Sequence, residues 1–383
     1  MKEKNIRVAI THGDTNGIGY EIIFKSFADS AMLDLCTPII YGSAKMAAYH
    51  LKALNLEINY RVIAQAEDAL DGHINLVNTF DEEIKIELGR PTIDSANAAL
   101  KALDRAVNDW KKQLVDVIVM APINPVTLKE AKKGYSTLAN YLASQMEAQE
   151  PLCILANEQL RMASVTDSSV SVKTVAETLN KEMIANKATL LWKSLKRDFH
   201  ISNPRIALLS FNPISGEGAF GREEEHHIIP AVAELAAQGI QVFGPYPADT
   251  FFAEGTFHAF DAVLAIYHDQ GTATFNAIDD GEGIMLLTGL PAVCTAPVNN
   301  PNYEMAGQNQ TDETSLRHAI FTAIDICRNR INYDEPLSNP LPKLYHEKRD
   351  DSEKVRFCIP KAKAEDKGDE KTKWIKNNAD NEL

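Results

Sequence analysis

The most chemically capable pair in the chain is Tyr267-His268-Asp269-Gln270-Gly271, where a histidine and a carboxylate stand together as a buried strand surfaces. An imidazole titrating near neutrality beside an acid suits a metal ligand or an acid/base pair, while a satisfied polar cluster is the plainer reading of one dipeptide. A second candidate is the glycine-rich run Thr11-His12-Gly13-Asp14-Thr15-Asn16-Gly17-Ile18-Gly19-Tyr20-Glu21, a strand-to-helix turn. Such a turn can bring backbone amides and a helix N-terminus up to an anion, or its glycines can simply fit a tight bend. Two further strand-end loops carry polar residues: Ala121-Pro122-Ile123-Asn124-Pro125 and Asn212-Pro213-Ile214-Ser215-Gly216-Glu217-Gly218. The remaining histidines form no H-x-x-x-H or H-E-x-x-H set, and His226-His227 reads as part of a solvated, acidic first helical turn. No P-loop and no G-x-S-x-G elbow is present.

These loops need a scaffold, and the apolar pattern supplies one. Runs at Ile6 to Thr11, Pro38 to Tyr41, Val115 to Met120, Arg205 to Ser210, Ile240 to Phe243 and Ala262 to Tyr267 are nearly continuous in apolar residues, which predicts strands buried on both faces. Between them lie helical periodicities over Ser95 to Leu114, Thr174 to Arg197 and Ile228 to Gly239, with Ser95 and Thr174 as candidate N-caps. The alternation predicts an α/β fold with a largely parallel sheet, whose ligands sit at the carboxyl ends of strands.

The 383 residues are 45% hydrophobic and 24% charged, which excludes collagen, coiled-coil and fully disordered classes. With 39 Lys+Arg against 53 Asp+Glu, the net charge of −14 disfavours nucleic acid as a partner. No long apolar run suggests a membrane span and no signal-peptide anatomy opens the chain, so a cytoplasmic address is expected. Cys36, Cys153, Cys294, Cys327 and Cys358 are scattered and contain no C-x-x-C pair, which predicts reduced, mostly buried thiols. From Pro336 the composition turns to mixed Lys, Glu and Asp, and residues 336–383 are expected to form a flexible extension.

Taken in order, ITHGDTNGIGYE, the APIN loop, NP-x-x-GEG, GPYPADTFF and FDAVLAIYHDQG resemble the 4-hydroxythreonine-4-phosphate dehydrogenase family of pyridoxal phosphate biosynthesis, over roughly residues 5–333. The resemblance implies a two-domain fold related to isocitrate and isopropylmalate dehydrogenases, here 1–125 plus 290–335 and 126–289, the latter carrying a homodimer interface. It also implies NAD(P), and a divalent metal held by three histidines. Of those, His268 matches, whereas the other two positions fall on Ser168 and Ile214. The family's substrate-binding positions fall on Leu138, Ala139, Asn276, Met285 and Cys294, each a weaker polar partner than the family residue. In the family's DHGTA-x-x-x-AG segment only Ala306 and Gly307 persist, Pro301 lacks an N–H, and Pro125 replaces the lysine that usually follows APIN.

What survives is Gly13, Asp14, Gly17, Gly19, Glu21, Asn124, Asn212, Pro213, Gly216, Glu217, Asp249, His268, Asp269 and Gln270. Losses at ligand positions over an intact scaffold favour a non-catalytic member that senses a small molecule, acts as a scaffold or partners an active paralogue. The alternatives are the family's NAD-dependent oxidative decarboxylation, or a related enzyme using His268 and Asp269 on a less charged substrate without a metal.

Overall fold

The computed structural model describes residues 5–80, 84–132, 134–213 and 220–339. The predicted Ile214, Gly216 and Glu217, Cys358 and the extension beyond 339 lie outside them. The chain forms two units, Met1–Asp334 and Glu335–Leu383, and the strands among the described residues belong to the first.

Twelve strands make one sheet among the described residues: β1 (Ile6–Thr11), β2 (Cys36–Gly42), β3 (Arg61–Ile63), β4 (Asn75–Asn78), β5 (Val117–Met120), β6 (Leu152–Ala156), β7 (Arg161–Ser164), β8 (Arg205–Leu209), β9 (Gln241–Tyr246), β10 (Ala262–Ala265), β11 (Ile284–Thr288) and β12 (Val293–Pro297). Their order is β3-β4-β2-β1-β5-β12-β11-β6-β7-β10-β8-β9. All six predicted runs are strands, and the burial is as their composition demands: β2, β5 and β10 are buried at every position. The sheet is mostly parallel, as expected. Its direction reverses through the antiparallel pairs β12–β11, β11–β6 and β6–β7. Strands β7, β10, β8 and β9 therefore run opposite to β1, β5 and β12, and the carboxyl ends of the two groups lie at opposite ends of the sheet.

Two helix starts differ from the sequence reading. Thr92, not Ser95, caps the helix Ile93–Lys111 by accepting from the Ser95 amide, and Ser171, not Thr174, caps Val172–Thr178 through the Thr174 amide. Each predicted cap sits three residues inside its helix, because the first hydroxyl of each pair is the one placed to accept. The predicted 174–197 helix is also two helices, since Asn180 caps Lys181–Arg197 by accepting from Met183 N at 2.8 Å. No described helix is long and apolar enough to cross a membrane. Of the cysteines described, Cys36 and Cys294 are buried, Cys153 and Cys327 are partly buried, and all four are free thiols.

The long helix Thr314–Ser338 carries the expected boundary residue Pro336 inside its final turn. It is anchored by Arg330, whose Nε donates to Asp198 Oδ1 at 2.7 Å with both side chains buried. Asp198 Oδ2 accepts from Ser194 Oγ at 2.6 Å and Thr288 Oγ1 at 3.3 Å, so the carboxylate ties helix 181–197 and β11 to this helix. Removing one member of such a pair strands a buried charge. Arg330→Met should therefore lower unfolding free energy by about 3 kcal/mol in urea titrations; unchanged stability would deny the pair this anchoring role.

Beneath the β1 end of the sheet, Tyr20 is stacked between His12, with centroids 5.3 Å apart, and His50 at 4.9 Å. Burial pushes both imidazoles down from 6.5 to about 4. Below pH 6.5 the unfolded chain binds a proton that the folded chain refuses until about pH 4. Stability should thus fall with acid across that window, by about 1.4 kcal/mol per pH unit for each ring. His12→Phe keeps the stack and removes one titrating ring, so its stability should depend on pH less steeply by that amount. An identical slope in denaturation series across the same window would refute the assignment.

Candidate functional site

At the β1 and β5 ends, the glycine-rich turn is held by its own chain. Gly13 has φ +69°, and a Cβ there would stand 2.4 Å from the Pro122 carbonyl oxygen. The Asp14 amide donates to that oxygen at 2.8 Å, Asn16 N to Asp14 Oδ1 at 2.9 Å, Gly17 N to Asp14 O at 3.2 Å and Ile18 N to Pro301 O at 3.0 Å. Four amides that could have met an anion thus already have acceptors. Asn124, at the end of β5, caps the helix Pro125–Ala131 by accepting from Val126 N at 2.8 Å. Its role here is architectural.

The segment after β12 closes over this turn. Tyr303 Oη donates to Asp14 Oδ2 at 2.7 Å. Burial raises the Asp14 carboxyl above the usual range, and burial with the Asp14 contact raises the Tyr303 phenol. Farther on, buried Glu21 accepts from Lys25 Nζ at 2.8 Å and from the Thr311 amide at 2.9 Å. Ala306 and Gly307 lie in the turn between these latches. Gly307 has φ +79° and packs against Leu88, which explains a glycine there without a cofactor. Tyr303 escaped the sequence reading because its partner lies 289 residues away and nothing local marks it.

At the opposite end of the sheet stand the loops after β7, β8 and β10. His268 opens the helix His268–Ile278, is half-buried and contacts Thr272 Oγ1 at 3.3 Å. Asp269, beside it, is exposed. Gln270 is the residue that joins the loops: its Oε1 accepts from Ile266 N at 3.0 Å and its Nε2 donates to Ser210 O at 2.8 Å. Asn212 is gripped by Glu224, which is fully buried and accepts from the Phe211 and Asn212 amides and from Asn212 Nδ2 at 2.7 Å. The acidic turn read as solvated is therefore only partly so: His226 is exposed, but Glu224 organises the loop before residue 214. Pro213 and Asp249 are exposed, and Asp249 accepts from the Thr250 amide at 2.8 Å.

The implied metal does not fit this end. Ser168 is exposed and offers a hydroxyl where an imidazole would be needed, and Ile214 has no donor atom. Among the described residues no three His, Cys, Asp or Glu side chains stand close enough together to hold an ion. At the other end, Pro301 and Tyr303 engage the glycine-rich turn.

Four of the five altered substrate positions belong to the same large apolar cluster. Leu138, Ala139, Met285 and Cys294 pack in one apolar cluster with Ile123, Tyr141 and Leu142. Cys294 is fully buried, and burial pushes its thiol up to about 12. The fifth, Asn276, is exposed on helix 268–278.

The family model described as "Pyridoxal phosphate biosynthetic protein PdxA" matches residues 34–323. A 4-hydroxythreonine-4-phosphate dehydrogenase of Bacteroides thetaiotaomicron is 43% identical over 93% of this chain and 98% of its own length. One from Aquifex aeolicus is 32% identical over 84% of this chain and 98% of its own. The crystal structure of the Klebsiella pneumoniae enzyme of that name aligns with a TM-score of 0.70 at 28% identity, covering 85% of this chain and 100% of that one. By this family match, these identities and this shared fold, the chain belongs to the pyridoxal phosphate biosynthetic 4-hydroxythreonine-4-phosphate dehydrogenase family.

Proposed function

We propose that this family member does not catalyse the family's NAD-dependent oxidative decarboxylation and serves instead as a ligand-binding, sensing or scaffold protein. The observation that carries the reading is the apolar cluster of Leu138, Ala139, Met285 and Cys294. A phosphorylated substrate in a partly desolvated pocket needs fixed cationic donors, each typically worth about 1.5–3 kcal/mol. Those four positions contribute none. The engagement of the glycine-rich turn by Pro301 and Tyr303 supports the same reading at the cofactor end.

A second reading keeps the enzyme. The 43% identity to a protein named for the activity favours it, with His268 and Asp269 acting on a different substrate. A metal analysis with a thermal-shift screen against NAD, NADP and phosphorylated hydroxy acids separates the two. The non-catalytic reading expects no bound zinc and no stabilisation; zinc with a shift of several degrees by NAD would overturn it. If Ser168 and Ile214 stand at ligand positions, Ser168→His with Ile214→His should gain zinc affinity measurable by calorimetry, and no gain would count against the correspondence.

A homodimer belongs to the proposal, because the scaffold that carries the family interface is retained. Sedimentation velocity at micromolar concentration should give a dimer. A monomer alone would remove it.

A further inference from the structure

Where β6 and β12 end, a cleft of about 280 Å³ opens between the β6–β7 hairpin, the start of β11 and one face of helix 314–338. Its volume equals roughly nine water molecules, enough for a small metabolite and too little for a dinucleotide. Arg161, the first residue of β7, lines it with its guanidinium 4.7 Å from the Phe199 ring centroid. Among the described residues its Nε is buried without an acceptor, and its Nη1 has only a long 3.4 Å contact to the Asp261 carbonyl. The Asp261 carboxylate is itself engaged by the Arg205 amide at 2.7 Å. A guanidinium held in place by an aromatic face, with only a long hydrogen bond from Nη1 to the chain, is pre-organised for a carboxylate.

The other walls carry the opposite sign. Glu282 precedes β11 and lies 3.9 Å from His318 Nδ1, Asp325 stands two turns along the same helix face, and Glu158 sits in the hairpin turn. A simple anion would meet Arg161 only by approaching three carboxylates. A simple cation would leave the arginine unanswered. We propose that this cleft is a binding site for a small zwitterion of the α-amino-acid class, its carboxylate on Arg161 and its ammonium on Glu282 and the neighbouring acids. Asn329, whose Nδ2 is bonded to Asp198 O at 2.8 Å, adds a fixed amide at the cleft's end and ties it to the buried Arg330–Asp198 pair. The site is independent of the loops after β1, β5, β8 and β10, so it stands whether or not the family reaction survives.

Calorimetric titration of the full chain with L-serine and L-threonine, and in parallel with propionate and ethylamine, tests the assignment. An amino acid should bind while propionate, lacking the ammonium, and ethylamine, lacking the carboxylate, bind at least about tenfold more weakly. Arg161→Gln should weaken the amino acid by about tenfold or more. If that variant unfolds, Glu282→Gln at the partly exposed wall supplies the same test from the ammonium side. Failure of both amino acids to bind, equal binding of propionate, or indifference to both substitutions would each overturn the proposal.

Discussion

A backbone approach that tolerates no side chain holds the first half of the molecule together. At Gly19 a Cβ would sit 2.1 Å from the His12 carbonyl oxygen, at Gly17 2.6 Å from that of Pro301, and at Gly13 2.4 Å from that of Pro122. Because these contacts are to backbone, no rotamer change could relieve them. Three chain segments distant in sequence are thereby brought to van der Waals distance. The hydrogen bonds of Asp14, Ile18 and Glu21 then fasten the segment after β12 onto the helix Gly19–Ser26. The same closeness places His12 against Tyr20, so the buried ring stack is a consequence of the turn.

Sheet direction imposes the second constraint. Since β11 is antiparallel to both neighbours and β6 to β7, a single chain presents its strand-end loops in two groups at opposite ends. One group contains Asp14, Asn124 and Tyr303, the other His268, Gln270 and Asn212. Within one chain these sets cannot act on the same atoms. In the proposed homodimer, a second copy would be what brings two such groups to one ligand.

Much of the scaffold was legible because burial on both faces leaves an unmistakable apolar run, as in β1, β2 and β10. Short strands such as β3 and β7 were not, since Arg61-Val62-Ile63 and Arg161-Met162-Ala163-Ser164 gain their identity from their neighbours. Caps shifted by three residues because Thr92 with Ser95 and Ser171 with Thr174 are equivalent in sequence and distinguished only by where the chain enters the helix. At the site, His268 and the altered positions could be located by motif. The engagement of the turn amides, the burial of Glu224 and the open guanidinium of Arg161 could not, because each depends on a partner or a cavity wall supplied from elsewhere in the chain.

Replacement chemistry separates drift from adaptation. An eroding site would leave stranded polar groups, because losing one partner of a buried pair exposes the other to a desolvation penalty of about 1–3 kcal/mol. Leu138, Ala139, Met285 and Cys294 share an apolar cluster with Ile123, Tyr141 and Leu142. Around the turn, by contrast, Thr11 Oγ1 and Thr15 Oγ1 lie buried without protein partners among the described residues. Under the proposed non-catalytic reading, the first region serves as packing rather than as a polar pocket. The second keeps the polar composition of a strand-end turn while Tyr303 and Pro301 supply contacts from within the chain.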